Sequence, residues 1–185
     1  IIKNYENFKY VGYTHEYINC ISKKSCSETI NKDVLFINDL GDGGSKEDKF
    51  KRDIILLEKS IIEKKDESRS YFYLGNSYKD IDDSDNAIKN YKMVLELNGW
   101  VQEKYMACYN IGILYNKLND NDNTIKYLLK TIEYDDERME GIIELVEYFY
   151  NKQIYMIVNL LYNKFKNYKK DINDKLFLYN DKYKY

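Results

Sequence analysis

Tyr71-Phe72-Tyr73-Leu74-Gly75-Asn76-Ser77-Tyr78, followed by Ala87-Ile88-Lys89-Asn90-Tyr91, is the stretch on which the fold turns. Tyr71, Leu74 and Tyr78 stand at i, i+3 and i+7, one face of a helix. Tyr91 and Val94 share a face of a second helix in the same way. Gly75 has no side chain, so a partner helix can cross close to it, and Ala87 is read as the small residue making the matching approach. The pattern recurs. Cys108-x-x-Ile111-Gly112-x-x-Tyr115 precedes Thr124-x-x-x-Leu128, and Ile142-x-x-Leu145-Val146-x-x-Phe149 precedes Val158-x-x-x-Tyr162. The first-helix marker moves from 75 to 112 to 146, steps of 37 and 34, while the second-helix marker always follows 12 residues later. Constant internal spacing with a variable gap predicts stacked helical hairpins. The variation is placed at the loop around Asn98 to Gln102, where insertion is cheap.

This pattern resembles the tetratricopeptide repeat, a helical pair with Leu-Gly and aromatic positions on its first helix and Ala on its second. The third unit has lost both small residues. The expected fold class is mostly α: an array of about three repeats over 67–166, preceded by a small α/β fragment over 1–44 and a linking helix over 45–66. Residues 167–185 are read as a C-terminal cap or tail.

At 185 residues and a net charge of −2, the chain offers no field to draw nucleic acid or anionic membrane. No apolar run reaches the roughly 18 residues of a membrane span. The chain begins with Ile1 rather than Met, so targeting is unreadable, and the cytoplasm is the default compartment. Three cysteines without C-x-x-C spacing argue against a disulfide framework or a zinc site. The 21 tyrosines, beside abundant Ile, Asn and Lys, read as AT-rich codon usage plus core filling.

Before the repeats, Phe8 to Tyr13 reads as a strand, Ile18 to Asp33 as loop, and Val34 to Ile37 as a buried strand. Gly41-Asp42-Gly43-Gly44 must turn. Two strands cannot stand alone, so 1–44 looks like one edge of a larger α/β domain. Ser45 to Asp48 fits a helix N-terminus, and the helix it opens carries Phe50, Ile54, Leu57 and Ile61 on one stripe. Asp66 or Ser68 caps the next.

Candidate chemistry is sparse. His15-Glu16 pairs the only histidine with a carboxylate after a strand, either a catalytic pair or a surface dipeptide. Gly41 to Ser45 is either a phosphate cradle or a plain turn. Asp80 to Asp85 lacks the Gly and Glu of a calcium loop and reads as the polar turn between two repeat helices.

In their order, these segments resemble family 2-type glycosyltransferases whose GT-A catalytic domain is followed by tetratricopeptide repeats. The resembling residues run from Tyr10-Val11-Gly12-x-x-His15-Glu16-Tyr17, through Gly41-Asp42-Gly43-Gly44-Ser45-Lys46-x-Asp48, to Gly99-Trp100-x-x-Glu103. The resemblance implies a nucleotide-sugar donor and a divalent metal, Mn or Mg, in an intact parent that transfers a sugar to an acceptor hydroxyl. It implies Glu16 as base with His15 beside it, Asp42, Gly43 and Lys46 bordering the donor, and Asp39 as metal ligand in place of a histidine. The partner would be an acceptor glycan or protein. The nucleotide-binding half and its Asp-x-Asp motif do not precede His15, so this chain by itself is expected to bind no cofactor and to be inactive. The alternative is a non-catalytic module that binds a peptide or protein in the repeat groove. An inner face carrying Asn76, Lys79 and Asn116 favours peptide capture. A groove plugged by the 1–44 segment favours an enzyme subdomain. A decayed reading frame is a third reading.

Overall fold

A computed structural model describes residues 8–15, 17–20, 49–65 and 67–166, together with Leu178. Two strands, β1 (Phe8–Val11) and β2 (Tyr17–Cys20), precede seven helices. These are α1 (Lys49–Ile62), α2 (Glu67–Asp80), α3 (Ser84–Glu96), α4 (Val101–Lys117), α5 (Asn121–Tyr134), α6 (Glu140–Asn151) and α7 (Tyr155–Phe165). Each helix from α1 onward packs against the next, so the core is one continuous row. The helices α2–α3, α4–α5 and α6–α7 are the three hairpins expected from the marker spacing.

The turns inside the hairpins repeat as faithfully as the helices. Asp82, Asn119 and Gln153 all adopt the left-handed backbone conformation, with φ of 62°, 60° and 60°. They are separated by the same 37 and 34 residues as the core markers. Asp and Asn tolerate this conformation because their short polar side chains satisfy the local backbone. Each of the first two turns then supplies a cap. The Asp83 carboxylate accepts from the Asn86 amide N–H, and Asp120 from that of Asn123, both at 3.1 Å. The Asp80–Asp85 run is therefore turn chemistry, satisfying helix donors that have no partner within the helix.

The glycines are where the helices touch. A Cβ on Gly75 would stand 2.7 Å from the Tyr91 ring, and one on Gly112 2.7 Å from the Leu128 side chain. The residue that crosses the glycine is thus the large one four positions after the small marker. Ala87 and Thr124 are wholly buried but are not what the glycine meets. Tyr91 and Leu128 are themselves buried to within 1% of full coverage. Burial of such a side chain contributes about 2–3 kcal/mol.

The extra length in the 37-residue step lies in a helix rather than in the loop at 98–102. From Val101 to Gly112, α4 runs about a turn further ahead of its marker than α2 does from Glu67 to Gly75. That added turn reaches the joint before α6. Arg138 and Glu140 are 1% and 0% exposed and form a two-bond pair, Nη2 to Oε1 at 2.7 Å and Nε to Oε2 at 3.2 Å. Gln102 from the added turn accepts from Arg138 Nη1 and donates to Asp135, both at 2.8 Å. Tyr105 lies 4.1 Å beneath the guanidinium and donates to Glu140 at 3.1 Å. A buried guanidinium survives when its donors are met in this way.

The α1 stripe is as expected, with Leu57 buried and Ile54 and Ile61 packed on the core. The Ser60 hydroxyl meets the Ser70 hydroxyl at 2.8 Å across the α1–α2 interface. Helix α2 starts at Glu67, so Ser68 lies inside it rather than capping it. The N-terminal region departs from expectation. Ile18 to Cys20, the start of the stretch read as loop, belong with Tyr17 to a strand paired antiparallel with β1 in the register Phe8 to Cys20 and Val11 to Tyr17. Four residues are too few for period to distinguish strand from loop; the ladder to β1 decides it. The described part of 1–44 is thus a two-stranded antiparallel hairpin, which lends no support to the α/β-domain edge expected there. Val34–Ile37, the Gly41–Gly44 turn, Ser45–Asp48 and Asp66 lie outside the described residues.

Gly112→Val should lower stability by about 2 kcal/mol or more, because Leu128 and its backbone nitrogen cannot both retreat. A urea midpoint unchanged from wild type would contradict the close crossing. Glu140→Ala should cost about 3–5 kcal/mol by leaving Arg138 buried without its counter-charge. The same denaturation series reads it, and a loss below 1 kcal/mol would argue against a closed polar joint.

Candidate functional site

The face formed by α2, α4 and the start of α1 bounds a cavity of about 410 Å³. Phe72, Tyr73 and Met106 form its apolar floor; Asn76, Lys79 and Asn110 supply its polar wall. Helical spacing produces this wall. Phe72, Asn76 and Lys79 succeed one another along one side of α2, and Met106 and Asn110 do the same one turn apart on α4.

The polar groups are fixed by a relay beneath the floor. The buried Tyr91 hydroxyl donates to Asn76 Oδ1 at 2.6 Å and accepts from Asn110 Nδ2 at 3.3 Å. Asn110 Oδ1 in turn accepts from Lys79 Nζ at 3.4 Å. Asn76 therefore spends its carbonyl inward and keeps its amide N–H₂ as a donor for the cavity. Burial lowers the Lys79 pKa, against the opposing pull of Asp80. No carboxylate lies within ion-pair distance of Lys79 among the described residues. The wall thus presents donors and the partly desolvated Lys79 beside an apolar floor, with the Asp53 and Asp80 carboxylates at its edge. Chemically, this can hold a carbonyl or carboxylate next to a hydrophobic group.

The β1–β2 loop covers one end. The His15 imidazole stacks on the Tyr73 ring, 3.8 Å between centroids and 9° from parallel. Arg69 lies over the same Tyr73 at 4.9 Å, donates to the His15 carbonyl at 3.3 Å, and pairs with Glu103 of α4 at 2.8 Å. Tyr13 anchors the loop's other side by donating to Glu63 at 2.6 Å. His15 adopts the left-handed conformation, φ 51°, which turns the chain sharply at the groove end. Burial lowers its pKa, opposed by Asp53 and reinforced by Lys49 and Arg69. The loop covers the end without filling the groove, since the cavity persists beside it.

The residues expected to carry chemistry fare unequally. His15 is at the groove, held by stacking. Glu16, Asp39, Asp42, Gly43 and Lys46 lie outside the described residues. Asn76 and Lys79 line the cavity as expected, whereas Asn116 is exposed one turn beyond it. Asn110 was not singled out by sequence; its signal was its place two residues before Gly112, on the same helix side as Met106. Leu178, in the segment read as a C-terminal cap or tail, also lines the cavity. Cys108 is a core residue, as expected, with burial pushing its thiol up to about 12.

Comparison with known proteins agrees with this architecture. A family model described as tetratricopeptide repeat matches residues 68–99 and 107–138, the α2–α3 and α4–α5 hairpins with their flanking turns. Among solved structures, one described as the crystal structure of MamA superposes with a TM-score of 0.55 at 19% identity, covering 70% of this chain and 74% of that one. No curated protein matches. The chain therefore carries tetratricopeptide repeats within a mostly helical array. Among the described residues, no helix is long and apolar enough to cross a membrane.

His15 is the only histidine, so its imidazole proton signals can be followed in the intact chain without assignment. Its titration midpoint should fall below the ordinary value of about 6.5. Tyr73→Leu should move it back toward that value. The sign follows from the depressed pKa: docking of the loop is favoured above pH 6.5 or so and is lost as pH falls. A midpoint at or above the ordinary value would mean the stack does not form.

Proposed function

We propose that this chain acts as a protein-interaction module whose groove captures an extended peptide. The observation that carries the reading is the half-buried Lys79 ammonium, which has no ion-pair partner among the described residues, with the Asn76 amide beside it over the Phe72–Met106 floor. A peptide carboxylate would restore the charge balance that burial has disturbed. A neighbouring apolar side chain would cover the floor, and Asn76 would donate to a peptide carbonyl. Repeat arrays of this architecture present such concave surfaces to peptides. Arg69 and Glu103 tie α2 to α4 and so fix the groove's width.

The enzymatic reading, a C-terminal part of a nucleotide-sugar-dependent glycosyltransferase, draws its support from the order of sequence segments alone. Its proposed base Glu16, its donor-side residues and its metal ligand lie outside the described residues, and the family match covers repeats only. The peptide-binding reading is therefore preferred.

Peptides selected from a random display library on the purified chain should share an acidic residue next to an apolar one. Asn76→Ala and Lys79→Gln should each weaken a selected peptide by about tenfold or more, since a hydrogen bond to a charged group contributes about 1.5–3 kcal/mol. Titration calorimetry measures this. Selected peptides indifferent to both substitutions would sink the reading.

A further inference from the structure

We propose that the groove has an occupant of its own: Leu178, from the C-terminal segment, binds in the cavity as an intramolecular ligand and competes with outside peptides. This rests on the groove being a peptide site. Leu178 is half-buried and lines the same cavity as Phe72, Tyr73 and Met106, among α1, α2 and α4, whereas α7 stands at the other end of the helix row. The final hairpin closes at Phe165, and only eleven residues stand between Lys166 and Leu178. That length spans up to about 40 Å when extended. Three hairpins stacked at roughly 10 Å each fall within this reach.

The sequence around Leu178 has the composition the groove selects. It reads Asp174-Lys175-Leu176-Phe177-Leu178-Tyr179-Asn180-Asp181, apolar residues between two aspartates. The cavity wall carries Lys49 and Lys79 together with Asp53 and Asp80, so charges of both signs flank the apolar floor that Leu178 meets. Meanwhile α7, the element this segment would cover if it were a cap, keeps Tyr155, Met156, Leu160 and Tyr162 at least half exposed. α7 thus keeps an apolar face exposed at one end of the array, while Leu178 lines the groove at the other.

The test uses a fluorescein-labelled synthetic peptide of residues 172–185, titrated by anisotropy against the full chain and its Leu178→Asp and Leu178→Ser variants. Both variants should bind the peptide about tenfold more tightly than wild type, as expected when only roughly a tenth of wild-type molecules have the groove open. Adding Lys79→Gln to Leu178→Asp should remove that gain. A single cooperative thermal transition would confirm that the variants fold. Equal binding to wild type and variants overturns self-occupancy while leaving the groove reading intact. Binding to neither also overturns self-occupancy, and the groove reading is then judged by its library-selected peptides. Binding gained but unmoved by Lys79→Gln places the peptide elsewhere and overturns both. Masking in wild type that strengthens with protein concentration means a second copy supplies Leu178, which overturns the intramolecular form.

Discussion

The spacing of the array depends on contacts in which a helix has no side chain to hold its neighbour off, at Gly75 and Gly112 inside the first two hairpins and at Gly141 between α5 and α6. At Gly75 the Tyr91 ring, and at Gly112 the Leu128 side chain, come within the distance a Cβ would need. Each glycine costs helix propensity, about 1 kcal/mol relative to alanine. The structure recovers it by burying a large side chain completely against the exposed backbone. Because the crossing is close, the first helices of successive hairpins also come close, and the groove is narrow enough for α2 and α4 to share one cavity. The Tyr91 contact has a second consequence. Its ring is fixed by Gly75, so its hydroxyl is fixed too, and that hydroxyl orients Asn76 and Asn110. Core packing and groove chemistry meet in one residue.

Hairpin number, helix order and the glycine crossings were legible in sequence because they rest on local period and on side-chain size. The identity of the residue at each crossing was not. Spacing pointed to Ala87, yet the Cβ direction on a helix puts the contact at the residue one turn on. The added turn of α4 was also hidden. A three-residue surplus looks the same whether it lengthens a loop or a helix. What makes it helical is the polar joint it reaches, where Gln102 and Tyr105 find Asp135, Arg138 and Glu140. In sequence, Asp135-Asp136-Glu137-Arg138 reads as a solvated charge run. Only the fold shows that its arginine is buried and bidentate.

The groove was half legible. Asn76 and Lys79 could be placed because they lie on the α2 face opposite Leu74. Asn110 and Met106 required knowing which side of α4 faces α2. The His15–Tyr73 stack and the place of Leu178 join residues more than fifty positions apart, a separation at which period carries no information. The His15-Glu16 pair illustrates the cost. Read locally it suggested acid–base chemistry, while in the fold the imidazole lies flat on an aromatic ring and its carbonyl receives Arg69.

A repeat array exposes an apolar face at each end, because every hairpin is built to be covered by the next. This chain treats its two ends differently. At the first end α1 packs against α2, and the β-hairpin loop clamps across both through Tyr13 on Glu63 and His15 on Tyr73. At the other end α7 has no buried residue at all, and the third hairpin's small markers have become Val146 and Val158. Without a close crossing of the kind that Gly75 and Gly112 allow, α6 and α7 pack less tightly than the two hairpins before them. The covered first end is also where the groove holds its charge and its apolar floor, so the rigid part of the array and the binding surface coincide.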